Sequence, residues 1–181
     1  ATIPNYDRVN TWMTFGQDRR WRAGVAAHAA PGMTVLEVGC GPGSFAETIR
    51  NVELTCLDPS PEMLRVAKKR VDAARAAAGE PPAAYVEAIA ESIPLADASF
   101  DRVFCLFSFR DFQDKRKGLE EIFRVLKPGG QLVAADWNQR DHVERPFNRG
   151  ENWVLEQLRV QWAHPAFSSI NSFRRNLEQS G

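Results

Sequence analysis

Three glycines at alternate positions, Gly39, Gly41 and Gly43, follow directly on the β-type run Met33 to Val38, and Glu37 stands just ahead of them. Glycine weakens a strand, and a carboxylate among buried apolar residues is costly. The stretch LEVGCGPGS therefore asks for a ligand that rewards both. Glycine lets backbone approach such a ligand closely and supplies positive φ angles for the turn. A dinucleotide loop follows G-x-G-x-x-G, which would put the third glycine or its substitute at residue 44; here residue 44 is Ser44 and the third glycine is Gly43. A carboxylate at Glu37 also repels a diphosphate and suits a cation at short range. These residues predict a site for a cationic ligand of sulfonium and amino-acid type. Asp58, at the end of the next β-type run VELTCLD, is placed to accept hydroxyls of the same ligand or, more plainly, to cap the helix that follows.

The elements that must hold these residues are legible from pattern. A helix is predicted over Gln17 to Ala30, stopped by Pro31-Gly32, with DRRWR as its solvated face. Strand Met33 to Val38 leads through the glycines into SFAETIRN, read as a helix opening near Ser44 and offering free N–H groups there. Strand two ends at Asp58, and PSPEMLRVAKKRVDAARAAAG follows as a helix with Ser60 as N-cap, Pro61 first and Gly79 as stop. AYVEAI and FDRVFCLF read as strands three and four. DKRKGLEEIFRVLKPGG reads as an amphipathic helix closed by Pro128-Gly129-Gly130, and QLVAAD as strand five. Alternating β and α elements predict an α/β fold, a Rossmann-like doubly wound, mostly parallel sheet with helices on both faces. Ligands of such sheets lie beyond the carboxyl ends of the strands at the switch point.

Composition narrows the partners. Lys+Arg and Asp+Glu both number 23, so the net charge is zero and no broad pull toward nucleic acid or anionic membrane is expected. Cys40, Cys56 and Cys105 are odd in number and set in apolar runs, which suits reduced, buried thiols and a cytoplasmic location. No leader and no integral membrane segment is expected. One domain is predicted over 1–181, with an N-terminal helical segment (1–31), a cofactor-binding core (33–136) and a helical substrate-side segment (138–181). Trp153 and Trp162 in that last segment read as core. No metal is called for.

VLEVGCGPGSF, LDPSPEML and EAIAESIPLADASFDRV, in that order and spacing, resemble the class I S-adenosylmethionine (SAM)-dependent methyltransferases. The resemblance spans about residues 33 to 136. YDRVNTWMTFGQDRRWR, IPLADASFD and FSFRDF are most similar to the ubiquinone and menaquinone biosynthesis C-methyltransferases. The resemblance implies that Glu37, Gly39 and Gly41 face the methionine part of SAM, that Cys40 and Gly43 shape the loop, and that Asp58 takes the ribose hydroxyls. Pro59 and Met63 would then lie along the adenine. Where the family commonly has an acid or amide for the adenine amino group, this chain has Ile89, leaving Ala90 backbone and Glu91 for polar contact and implying a different arrangement. Phe107 and Arg110 match the loop reaching the methionine end and the substrate, and Tyr6 would close over the same end.

The implied reaction is methyl transfer to a small-molecule acceptor of quinol or phenol type, with His142, Asp111 or Asp136 as candidate bases. Blander readings stand beside these: Cys40 as a small filler, Met63 as core, Arg110 and Asp111 as a surface pair, His142 as a solvated loop residue. A SAM-binding module without catalysis is the alternative; a nicotinamide oxidoreductase fits the glycine spacing less well, and the balanced charge disfavours nucleic acid as the acceptor. Relatives carry two further strands after the last helix. Their absence before Gly181 predicts a shortened chain or a sheet completed by another copy in a homo-oligomer.

Overall fold

A computed structural model describes residues 17–135, with side chains from Arg22 onward. Tyr6, Asp136, His142, Trp153, Trp162 and the helices expected over 138–181 all lie outside the described residues, as does the segment in which the two further strands are expected to be missing.

The described chain runs α1 (Gln17–Ala26), β1 (Thr34–Val38), β2 (Glu53–Asp58), α2 (Pro61–Ala77), β3 (Ala84–Glu87), β4 (Phe100–Leu106), α3 (Lys115–Val125) and β5 (Leu126–Ala135). The strands form one sheet in the order β3-β2-β1-β4-β5, with every adjacent pair parallel. The chain steps outward from β1 to β3, then crosses back to lay β4 on the other side of β1. The switch point therefore lies between the carboxyl ends of β1 and β4.

Alternation along the strands sorts the core into two layers. Val35, Cys56 and Phe104 point to the face covered by Val25 of α1 and by Leu64, Ala67 and Val71 of α2. Leu36, Leu57 and Val103 point to the face covered by Ile122 and Val125 of α3. Each fully buried aliphatic side chain contributes about 1.5 to 3 kcal/mol by leaving water. α2 starts as its residues dictate: the Ser60 hydroxyl accepts the Met63 N–H at 3.3 Å, and Pro61 holds the first helical position. At its far end Arg75 is buried, donating to the Val52 carbonyl (2.8 Å) and the Pro81 carbonyl (2.5 Å) and pairing with Glu80 at 3.1 Å. The bond to Val52 fastens the end of α2 to the start of β2.

Two elements differ from their sequence patterns. SFAETIRN makes only a three-residue 3-10 turn, Ala46–Thr48, in place of a helix. Eight residues, 44 to 51, must carry the chain back along a strand about 17 Å long, and as an α-helix they would rise only about 12 Å. A short, steeper 3-10 turn followed by extended backbone at Ile49 covers the distance. α3 likewise ends at Val125, five residues before Gly130, because Pro128 lacks an N–H and disfavours helical backbone at Lys127. Residues 127–130 then bulge out opposite Asp101, and regular pairing resumes at Gln131 with Arg102.

Candidate functional site

The turn after β1 is held by its neighbours atom by atom. The Leu57 carbonyl accepts the N–H groups of Gly39 (2.8 Å) and Cys40 (3.0 Å), and the Asp58 carboxylate accepts that of Gly41 at 2.8 Å. Gly43 N–H donates to the Cys40 carbonyl at 3.0 Å, and residue 42 is proline. Every N–H from Gly39 to Gly43 is thus spent inside the protein, so the turn offers no cradle of free amides to a diphosphate. The shortened crossover removes the α-helix N-terminus that a diphosphate would also need.

The three glycines share a positive φ but are needed for different reasons. A side chain at Gly39 would sit 2.3 Å from Cβ of Ser108, in the turn after β4. One at Gly43 would collide with Val71 and Ala67 of α2. One at Gly41 would meet nothing within 4 Å, so the turn has open space on that side. Gly39 and Gly43 lock the turn to the sheet and to α2, and Gly41 leaves room beside it.

Glu37, on β1 just before the turn, is 2% exposed, and its Oε2 finds no hydrogen-bond partner among the described residues. Burial pushes its pKa up to about 8, with the Asp58 carboxylate adding to the rise; the Arg22 guanidinium and the Ala46 N–H pull the other way. Glu37 is therefore mostly neutral at pH 7 in the free protein, and a cation brought against it would draw its proton off. Asp58 is buried, with one oxygen on Gly41 N–H and the other accepting Ser60 N–H at 2.9 Å. A carboxylate has about four acceptor positions, so two remain for ligand hydroxyls. A hydrogen bond with the Cys56 thiol, together with burial, raises the pKa of Cys40 and keeps it a protonated thiol.

The other expected site residues are placed as follows. Pro59 is exposed at the β2 terminus and Met63 half-buried in the first turn of α2. Ile89 is 50% exposed just beyond β3, and Ala90 is buried. Glu91 is buried with its Oε1 accepting the N–H groups of Gln113 (2.6 Å) and Asp114 (3.0 Å), so that oxygen holds the entry to α3. Phe107, the first residue past β4, has φ +62°, a conformation costly for a bulky side chain and held here by its N–H on the Ala135 carbonyl. Arg110 and Asp111 lie exposed in the 3-10 turn Phe109–Asp111, 3.8 Å apart.

Two residues join this site without a signal in the sequence. Ser108 donates its hydroxyl to the Val38 carbonyl at 2.8 Å and touches Gly39, welding the turn after β4 to the turn after β1. Arg22 of α1 reaches the Ser44 carbonyl (3.4 Å) and sets its charge toward Glu37. Within DRRWR it reads as a solvated residue; its inward role depends on where α1 packs.

A doubly wound parallel sheet, with an acidic glycine turn at its switch point and a second buried acid one strand over, is an arrangement that suits a nucleoside carrying positive charge. Residues 36–134 match the family described as Methyltransferase domain, and the chain belongs to it. The chain is 40% identical to 2-methyl-6-phytyl-1,4-hydroquinone methyltransferase of Synechocystis sp., across 83% of this chain and 46% of that protein. To demethylmenaquinone methyltransferase of Renibacterium salmoninarum it is 37% identical, across 75% and 55%. A SAM-dependent methyltransferase from Aquifex aeolicus superposes with a TM-score of 0.52 at 30% identity, over 60% of this chain and 58% of that one. The chain spans about half the length of the curated relatives it matches.

The family's cofactor is S-adenosylmethionine, and the residues present fit it. Glu37 has a buried oxygen lacking a partner among the described residues, Gly41 has open space beside it, and Asp58 has acceptor capacity to spare.

Proposed function

We propose that the protein transfers the methyl group of SAM to a small aromatic acceptor of hydroquinone or phenol type. One observation carries the cofactor half of this reading: a glycine turn whose amides are all committed, beside a buried acid with one oxygen lacking a partner among the described residues. That arrangement rejects phosphate and favours a cationic thioether nucleoside. The acceptor half rests on the hydroquinone and demethylmenaquinone enzymes among the relatives.

Bound SAM supplies a methyl carbon already activated by its sulfonium. The chain's own work is then to hold the acceptor in line and keep water out, an effect that can supply roughly 7 to 11 kcal/mol. Glu37, Gly39 and Gly41 would hold the methionine end, with Cys40 and Gly43 keeping the turn's shape. Asp58 would accept the ribose hydroxyls, and Pro59, Met63 and the turn Ile89, Ala90 and Glu91 would border the base. Phe107 and Arg110 would face the acceptor, with Tyr6 closing over it. An acceptor attacked through a ring carbon must lose a hydroxyl proton, and Asp111, His142 and Asp136 are the proposed takers.

Among the described residues no helix is long and apolar enough to cross a membrane. With its reduced, buried cysteines and balanced charge, this supports a cytoplasmic protein that uses a small molecule and no nucleic acid as its acceptor. A homo-oligomer stays part of the proposal. The direct trial is transfer of a tritiated methyl group to a panel of hydroquinones, phenols and amines. Turnover confined to the hydroquinones and phenols is expected. Tight binding of S-adenosylhomocysteine with no product from any acceptor would instead leave a cofactor-binding module.

A further inference from the structure

The strand order fixes which way the cofactor must run. Glu37 and Gly41 end β1, Asp58 ends β2, and β3 lies on the far side of β2. Neighbouring strand ends are about 4.8 Å apart. A nucleoside with its amino-acid end at Glu37 and its ribose over Asp58 therefore carries its purine across the end of β3.

What the chain offers there is unusual for a purine site. Glu87 pairs in register with Asp58, and the Ala88 N–H donates to the Asp58 carbonyl at 3.3 Å. Strand alternation puts Glu87 on the α2 face with Tyr85, while Ala88 packs with the layer under α3. Next comes Ile89, one of two large apolar side chains that are strongly exposed among the described residues. The turn Ile89 to Ser92 closes through the Ser92 N–H on the Ile89 carbonyl at 3.2 Å and leaves the Ala90 N–H without an acceptor among the described residues. The acid of that turn, Glu91, is buried and has Oε1 committed to the Gln113 and Asp114 amides. Just past the end of the neighbouring β2, Pro59 is apolar and exposed. The end of β3 thus presents an apolar shelf and one main-chain donor, with Glu91 Oε1 committed to the entry of α3 and Glu87 turned to the α2 face.

Resting on the cofactor reading above, we infer that this chain recognises its purine by packing against Ile89 and Pro59 and through the Ala90 N–H, and leaves the 6-amino group unread. The N–H suits the ring nitrogen N1, an acceptor whether or not the amino group is present. Ile89 has no atom that accepts a hydrogen bond, and its exposure leaves the 6-position open toward solvent. The ligand class is therefore wider than adenine nucleosides: it includes thioether nucleosides of purine unsubstituted or alkylated at the 6-position.

The test is calorimetric titration of the full chain with S-adenosylhomocysteine and with its analogue carrying unsubstituted purine. Dissociation constants within about threefold of each other are expected, because no side-chain hydrogen bond is lost. Ile89→Asp is expected to install a preference for S-adenosylhomocysteine of tenfold or more, by giving the amino group an acceptor. Ile89→Ala is expected to weaken both ligands alike, since only packing is removed. A preference of tenfold or more in the unaltered chain, or an Ile89→Asp variant that gains none, overturns the inference while leaving the cofactor reading intact. Failure of both ligands to bind the unaltered chain overturns the cofactor reading itself.

Discussion

The two ends of the same sheet treat their carboxylates in opposite ways. At the amino-terminal end, Asp101 at the start of β4 accepts the Thr34 N–H at 2.8 Å and lies 2.8 Å from the Thr34 hydroxyl and 3.0 Å from the Lys127 ammonium. These hydrogen bonds, that of the Thr34 N–H first, hold its pKa down to about 2. At the carboxyl end, Glu37 is buried with one oxygen lacking a partner among the described residues, and its pKa is pushed up to about 8. The positive-φ Phe107 and the glycine turn belong to this end too. At one end the carboxylate is held by neighbouring groups of the protein; at the other the proposed ligand would complete it. The strain at Phe107 and the buried acid oxygen without a partner among the described residues are features that a stability-driven design would remove.

The contrast can be broken most forcefully at Asp58. Asp58→Ala removes the acceptor of the Gly41 and Ser60 amides and the proposed partner of the ribose. Affinity for S-adenosylhomocysteine should fall about 100-fold or more, since each hydrogen bond to a charged group is worth roughly 1.5 to 3 kcal/mol. Calorimetry showing unchanged affinity would end the nucleoside assignment.

The glycines give the next largest effect and separate binding from folding. Gly39→Ala drives a methyl group into Ser108 and should cost about 2 to 4 kcal/mol in urea unfolding, from crowding plus unfavourable φ. Gly41→Ala meets open space and should cost only about 1 to 2 kcal/mol, yet weaken cofactor binding at least tenfold by filling that space. Equal stability losses for the two would mean that the space beside Gly41 is not reserved for a ligand.

Glu37→Gln sharpens the comparison through pH. With its folded pKa near 8 and its ordinary value of 4.5, Glu37 keeps its proton in the folded state over a range where the unfolded chain has released it. Its contribution to stability is fully present below pH 4.5 and is lost progressively as pH rises toward about 8. Melts of the free protein at pH 5 and pH 8 should show a smaller loss for Glu37→Gln than for the unaltered chain. Cofactor binding at pH 7 should release up to one proton, read from calorimetry in buffers of different ionisation heat, and the variant should release none through this site. No difference in either measurement would place the charge elsewhere.

Asp101→Asn should matter least. Its carboxylate is partly exposed, so the loss should stay within about 1 kcal/mol. Because its pKa is lowered, its contribution is present above pH 3.8 and is lost as pH falls toward about 2. Cofactor affinity should not change; a drop would show that the two ends are coupled.

Much of the site was legible because its signals are local. Gly39, Gly41, Gly43, Glu37 and Asp58 fall within 22 residues of one another, at strand ends that alternation and turn residues mark out. Pro61 and Ser60 announced α2 for the same reason. The misread elements fail where length competes with propensity. SFAETIRN has helix-forming residues, but the distance it must cover overrides them, and LKPGG carries α3 signals up to a proline that stops it earlier. No local pattern in α2 marks Arg75 for burial, and only the fold buries it against Val52, Pro81 and Glu80.

By itself the sequence determined the order of the five strands, the glycine turn and the acids beside it, since spacing of two, three or four residues sets which side chains share a face. Only the tertiary structure decided that Ser108 locks Gly39, that Arg22 faces Glu37, and that Glu37 is buried with an oxygen lacking a partner among the described residues while Asp101 gathers Thr34 and Lys127 on one oxygen. Those facts depend on packing between segments far apart in the chain, and no local spacing encodes the burial that moves a carboxylate's pKa.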